Sequence, residues 1–163
     1  MTDAAPALFV ALEQSGFAAT IRQSTWLYPA ANIGHIISLT FFAGAVGVMD
    51  VRLLGGLAAT APARLLARAR SFAIAALAGM ALTGSVLFSA EASHLAANPV
   101  FQVKVALIAA ALVNAALFEL YARHPLGKVP PGAAIPIGVK VAGVFSLGIW
   151  ICVAACGRGI AYF

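Results

Sequence analysis

The chain has 163 residues, of which 63% are hydrophobic and only 9% are charged. Soluble domains contain about 45–50% apolar and about 25% charged residues, so the composition excludes a soluble fold of this size. The apolar excess also excludes a disordered chain, and two cysteines are too few for a disulfide-stabilised scaffold. The composition therefore predicts an integral membrane protein.

The N-terminal segment, residues 1–22, predicts a short helix at the membrane surface. It lacks the basic start of a signal peptide and contains Asp3. Its apolar residues recur at roughly helical spacing, and Glu13 and Arg22 are among its polar positions. We expect this helix to lie on the outer surface of the membrane.

Four apolar stretches follow, and each is long enough to cross a bilayer, which requires about 20 helical residues. They cover residues 27–49, 72–90, 99–118 and 135–156. The stretches are continuously apolar rather than alternating, which favours helices over a transmembrane β-barrel. We therefore predict an all-α integral membrane bundle of four transmembrane helices, in a single domain over residues 1–163.

The connection between the first two spans is expected to contain the start of a helix, whereas the connection between the last two spans is not expected to be helical. The proline at the end of residues 60–62 is typical of a helix start, so the second helix should begin there, about two turns before its membrane span. Residues 123–134 contain three prolines and two glycines. Because these residues break helices, we expect the second connection to be non-helical.

Basic residues indicate the orientation. Seven lie on one side of the predicted topology and two on the other, if Lys104 inside the third span is set aside. The positive-inside rule places both basic connections in the cytoplasm and both termini on the periplasmic side of a bacterial inner membrane. This topology accounts for the net charge of +5, so we infer no nucleic-acid partner.

Small residues recur at four-residue spacing within the spans, as in Ala43/Gly47 and Ala75/Gly79. Such residues allow helix backbones to approach closely in lipid. The spacing predicts contact faces within the bundle, but it is equally compatible with a seam between two copies of the chain or with a partner membrane subunit. We therefore expect the protein to contact the lipid bilayer and either a second copy of the chain or a partner membrane subunit.

Polar side chains are expensive inside a membrane, so each one is a candidate functional residue. His35 lies eight residues into the first span, and Lys104 lies five residues into the third span from the same outer side. Glu91 and His94 stand in the outer loop above them. These four residues form a predicted outer cluster.

Three interpretations of the outer cluster remain open. In the first, His35 is a hydrogen-bonded packing residue and Lys104 extends towards the headgroups. In the second, His35 ligates the iron of haem b and Lys104 neutralises a propionate. In the third, the cluster is a proton or metal site. The haem interpretation lacks an evident second ligand, because His94 is expected at or beyond the membrane surface. It therefore requires a five-coordinate haem, or one that is tilted towards His94 as a further cofactor-binding residue.

An inner cluster of charges is expected at the other side of the bundle. Asp50 and Arg52 close the first span, Glu119 closes the third and Lys140 opens the fourth. Opposite charges at similar depth should pair, which predicts a structural role for these four residues.

The two cysteines, Cys152 and Cys156, are four residues apart and therefore share one face of the fourth span. Free cysteines in helices are usually small packing residues. The alternative is a soft-metal site for copper, with His35 at comparable depth.

Several motifs are spread through the first three spans. They are Ile21–Pro29, His35, Asp50–Gly55, Thr83-Gly84, Leu87–Ala92, Asn98–Lys104 and Asn114–Phe118. From about Leu8 to Phe118 the chain thus resembles a family of small bacterial four-helix membrane proteins classed as a domain of unknown function, and the fourth span resembles it more loosely. The resemblance implies a four-helix bundle in the inner membrane and no established activity. That family often has a histidine at the position of Glu119, and His35 more distantly resembles a histidine in the membrane domain of copper-resistance protein D.

Three hypotheses for the function follow, and none is a hydrolytic enzyme, because the sequence has no phosphate-binding loop, nucleophile elbow or zinc-hydrolase motif. The first is a non-catalytic subunit or anchor of a membrane complex. The second is an electron-transfer protein that binds haem b through His35. The third is an oligomeric transporter of protons or copper that uses the outer cluster and the two cysteines.

Overall fold

The computed structural model describes residues 6–162, which contain eight α-helices and no strand. A π-helical turn, Phe118–Ala122, joins α6 to α7, and a 3-10 turn, Ile160–Tyr162, follows α8. The α-helices are α1 (Ala7–Glu13), α2 (Gly16–Gln23), α3 (Leu27–Leu53), α4 (Pro62–Ala90), α5 (Ala92–Ala97), α6 (Pro99–Leu117), α7 (Arg123–Leu126) and α8 (Ile137–Gly159). The all-α prediction is confirmed.

Four helical segments are long and apolar enough to cross a membrane: Leu27–Leu53, Pro62–Ala90, Pro99–Leu126 and Ile137–Tyr162. The first three contain the predicted spans 27–49, 72–90 and 99–118, and the fourth begins at Ile137, two residues after the predicted start. The second begins at Pro62, where the sequence predicted a helix start. The protein is therefore a multi-pass membrane protein with four helices of spanning length.

The four long helices pack in the lateral order α4, α3, α8, α6. Antiparallel α3 and α4 form one pair, α6 and α8 form the other, and contact between α3 and α8 joins the pairs. Gly79 permits the close approach of α3 and α4, because a Cβ added there would lie 2.6 Å from Ser38 Oγ. A Cβ added at Gly47 or at Gly138 would meet nothing within 4 Å, so only some of the small residues lie in contact faces between helices.

One end of the bundle, called here the capped end, is covered by α1, α2 and α5. The Glu13 carboxylate accepts hydrogen bonds from the Ser93 hydroxyl and, at 2.7 Å, from the Ser93 amide. Arg22 donates to the carbonyl oxygens of Glu13 and Ala90 at 2.8 and 3.0 Å. These bonds attach the N-terminal segment to the junction between α4 and α5.

The predicted N-terminal helix is present, but it is divided into α1 and α2. Ser15 causes the division, because its hydroxyl accepts a hydrogen bond from the Ala18 amide at 3.2 Å and caps the start of α2. Buried Ala18 and Ile21 face the bundle. The part of the prediction that concerns residues 1–5 lies outside the described residues.

The opposite end, called here the basic end, contains the α3–α4 loop and the segment from α7 to α8. Gly132 donates to the carbonyl oxygen of Ala58 at 2.8 Å and so joins these two connections. The prediction that residues 123–134 contain no helix is wrong for Arg123–Leu126. Pro125 lies in the first turn of α7, where a missing N–H is tolerated, and the helix then ends at Gly127.

Candidate functional site

His35 is fixed on α3 by a contact with α4. Its Nδ1 lies 2.9 Å from Thr83 Oγ1, and the Thr83 hydroxyl donates to the Gly79 carbonyl oxygen at 2.7 Å. The Met80 backbone is a further hydrogen-bond partner of the His35 ring, so polar groups of α4 hold the ring. Gly84 leaves room for the ring, since a Cβ at that position would lie 3.2 Å from His35 Cε1.

Lys104 reaches from α6 to α8. A Cβ added at Gly157 would lie at an ordinary van der Waals distance, 3.5 Å, from Lys104 Nζ, so the ammonium group lies beside α8 at this residue. Lys104 is also within electrostatic range of His35 and of the Cys156 thiol. Lys104 therefore has one neighbour from the predicted outer cluster and one from the cysteine pair.

The other members of the predicted outer cluster belong to the capped end. Glu91 precedes α5, and His94 lies on α5 within electrostatic range of Glu13. The Ser93 hydroxyl and amide hold the pKa of the Glu13 carboxyl below its usual value. His94 therefore lies among the residues of the capped end.

The cysteines do not form the predicted copper site with His35. Within residues 6–162, no three side chains of the His, Cys, Asp and Glu types come close enough to hold a metal ion. Cys152 is exposed on the outside of α8, in a shallow cleft beside Leu107 and Phe145. Cys156 is half-buried.

Glu119 is paired, but with partners that the sequence did not indicate. Its carboxylate, in the π-helical turn, forms ion pairs with Arg70 on α4 and with Arg123 on α7. Arg52 instead donates to the Thr60 carbonyl oxygen at 3.1 and 3.2 Å and holds the α3–α4 loop. The spacing of four residues between Glu119 and Arg123 was a local signal for the second pair, whereas Arg70 lies 49 positions away in the sequence.

Asp50 and Lys140 lack the ionic partners that were expected for them among the described residues. Asp50 is only 3% exposed, and its Oδ2 is buried without a hydrogen-bond partner. Ser146 on α8 lies beside the Asp50 carboxyl. Asp50 is therefore a buried acid that has no ionic partner among the described residues and an incomplete set of hydrogen bonds.

Asp50 lies in a cavity of about 740 Å³ between α3, α4, α6 and α8, on the basic-end side of the bundle. The volume is within the range of small-molecule sites, about 300–1,000 Å³. Its walls are mainly apolar, and Phe42 and Trp150 form an edge-to-face pair there at 4.5 Å between ring centroids. The polar and charged residues that line it are Asp50, Asn114, Ser146, Arg70, Glu119, Arg123 and His124.

The cavity opens sideways. Helices α4 and α6 line opposite walls, but each packs on another neighbour rather than on the other wall. Ile74 and Leu112 line the cavity from these two helices and are 61% and 46% exposed. This surface belongs to helices that are long and apolar enough to span a membrane. Sequence reasoning missed the cavity, although the polar Ser146 within the fourth span was a signal for it.

Comparison with known proteins gives one finding. Searches among curated proteins and among solved structures return no match, and the likeness to copper-resistance protein D receives no support. The model of a family described as "Family of unknown function (DUF6644)" matches residues 12–163, so the match includes the fourth span. This chain therefore belongs to that family of unknown function.

Proposed function

We propose that this protein is a non-catalytic membrane subunit that binds an amphipathic small molecule in the cavity between its four long helices. The observation that carries the proposal is an apolar cavity of about 740 Å³ that lies between four helices of membrane-spanning length and contains polar groups at one end. We infer that it opens to the lipid between α4 and α6. Ligand sites commonly combine mostly apolar walls with a few polar groups that orient the ligand. A hydrocarbon chain suits the apolar walls, and a polar head suits the end at Asp50.

The proposed setting is the bacterial inner membrane, with the basic end in the cytoplasm and both termini on the periplasmic side. The seven basic residues of the two inner connections support this orientation. The polar end of the cavity then lies towards the cytoplasmic headgroups. An amphiphile of the inner leaflet enters between α4 and α6 with its head and tail already in the required directions.

The haem hypothesis is placed second. An imidazole such as that of His35 is a common ligand of haem iron. However, the cavity is lined from Phe42 to Leu53 on α3 and does not include His35, whose ring contacts Thr83 and Gly84. Proton or copper transport is placed third, because the cysteines and His35 do not converge.

The proposal can be tested with Trp150 as a reporter inside the cavity. The chain has two tryptophans, so Trp26→Phe, at an exposed position on the capped-end side, leaves Trp150 alone. The protein in phosphatidylcholine nanodiscs is titrated with 12-bromododecanol, whose bromine quenches indole fluorescence on contact. We expect a saturable component of quenching above the linear background that arises from bulk lipid.

A matched pair of variants locates this binding. Ala111 is buried and lines the cavity, whereas its neighbour Ala110 is exposed and does not. Ala111→Phe fills the cavity and should remove the saturable component, and Ala110→Phe should retain it. Linear quenching alone in the Trp26→Phe parent, or equal loss in both variants, would refute the proposed function.

A further inference from the structure

The polar end of the cavity contains hydrogen-bond acceptors from three helices. Asn114 on α6 donates its Nδ2 proton to the Ala142 carbonyl oxygen at 3.2 Å, which leaves its Oδ1 as an acceptor. Gly143, the next residue on α8, lies beside the Asp50 backbone. A Cβ added at Gly143 would be 3.7 Å from the Asp50 carbonyl oxygen. Ser146 is one turn further along α8, beside the Asp50 carboxyl. The three side chains therefore lie at one level of the cavity.

The Ser146 hydroxyl is a donor beside the Asp50 carboxyl, but it does not satisfy the whole group. Within residues 6–162, Asp50 Oδ2 has no hydrogen-bond partner, and no donor reaches the Asn114 side-chain oxygen. A buried polar group without a hydrogen bond costs about 1–3 kcal/mol, and more if it is charged, so native proteins seldom retain one without a use. The missing group is a hydrogen-bond donor.

The charge of the site points to a cationic donor. Asp50 has no cation beside it, because Arg52 is turned to the Thr60 carbonyl oxygen and Arg70 is bound to Glu119. Removing a carboxylate from water is compensated only by a close opposite charge and by hydrogen bonds. A primary ammonium group offers both, since it carries a positive charge and three N–H donors.

The remaining charges around the cavity decide the direction of entry. Arg70, Arg123 and Glu119 line the basic end and together carry one net positive charge, and His124 is beside them. This charge repels a cation that approaches from the cytoplasmic side. The opening between Ile74 and Leu112 is apolar, so the ligand enters from the lipid.

The length of the cavity defines the rest of the ligand. Phe42 is eight residues before Asp50 on α3, which corresponds to about 12 Å along the helix axis. The Phe42–Trp150 pair forms the far part of the wall. The space above the acceptors therefore accommodates a single flexible alkyl chain.

We infer, on the basis of the proposed function, that Asp50, Ser146 and Asn114 form a binding site for the primary ammonium head of a single-chain alkylamine. The alkyl chain lies along the apolar wall towards Phe42 and Trp150. The site selects amines over neutral and anionic amphiphiles of equal length, because only an ammonium satisfies the charge and the acceptors together.

The test is competition in the Trp150 quenching assay. Dodecylamine, dodecanol, dodecanoate and dodecyltrimethylammonium are compared as competitors of 12-bromododecanol, each at a measured mole fraction in the bilayer. We expect dodecylamine to compete at a mole fraction about tenfold lower than dodecanol, as one charge-assisted hydrogen bond produces. Dodecyltrimethylammonium has no N–H donor and should compete less well than dodecylamine.

Two carboxyl-to-amide variants complete the test. Asp50→Asn should remove the preference for dodecylamine and leave dodecanol competition unchanged, whereas Glu13→Gln at the capped end should leave both unchanged. Equal competition by amine and alcohol in the protein with native Asp50 would overturn the inference without any variant. Stronger competition by dodecanoate would also overturn it, and would place an anionic head at Arg70 and Arg123.

The failure of the inference differs from that of the proposed function. If 12-bromododecanol shows saturable quenching but the amine has no advantage, the cavity binds amphiphiles and the ammonium site is rejected. If no saturable quenching occurs, the proposed function is rejected and the inference with it.

Discussion

Gly79 offers the sharpest test of how α3 and α4 pack against each other. A Cβ at this position would lie 2.6 Å from Ser38 Oγ and 3.4 Å from Ser38 Cβ. Rotation of the short Ser38 side chain would relieve the first contact for alanine but not for a branched side chain. Gly79→Leu therefore forces α3 and α4 apart along their main interface.

The expected magnitude follows from the packing of the interface. Overpacking of a close contact costs about 1–3 kcal/mol. We expect Gly79→Leu to lower the free energy of unfolding by this amount, despite the higher helix propensity of leucine. The measurement is unfolding in mixed micelles of dodecylmaltoside and dodecyl sulfate, followed by far-ultraviolet circular dichroism.

Gly44→Leu is the matched control on α3. Gly44 is exposed, and a Cβ added there would meet nothing within 4 Å, so its substitution should not lower the free energy of unfolding. Equal effects of the two substitutions would refute the assigned α3–α4 interface. A larger effect at Gly44 would show that the outer face of α3 is covered by a second copy or by another subunit.

Three further predictions concern separate parts of the protein. Asn98 accepts hydrogen bonds from the Val100 and Phe101 amides and caps α6, so Asn98→Ala should destabilise the protein by about 1 kcal/mol in the same micelle titration, while Asn98→Asp should not. Because the folded-state pKa of Glu13 is below its unfolded value, its bonds to Ser93 stabilise the capped end above the unfolded pKa and are lost as pH falls through the folded pKa. Hydrogen exchange in α5, corrected for the intrinsic rate, should accelerate in acid, and Glu13→Gln should remove this pH dependence; an unchanged pH profile in the variant contradicts it. Protein from haem-replete cells should be colourless in reduced-minus-oxidised spectra; a haem spectrum that His35→Ala abolishes would revive electron transfer as the function.

The sequence by itself determined the class of fold and the number of spans. Hydropathy and length are local properties, because each membrane-spanning helix satisfies its own backbone and must be apolar along its own length. The start of α4 at Pro62 was predictable for the same reason, since the signal and the structure lie in one short segment. The division between α1 and α2 at Ser15 was also a local feature, although the spacing of apolar residues concealed it.

The tertiary structure alone decided what the polar residues do. Whether Asp50 has a cationic partner depends on which helices lie beside α3, and no pattern along one helix contains that information. Arg70 reaches Glu119 because α4 and α6 form the two sides of one opening, and the same arrangement leaves the cavity between them. In lipid, helices associate through packing and hydrogen bonds rather than through a strong hydrophobic force between them. The choice of neighbours, and with it the site, therefore emerges only when all four long helices are assembled.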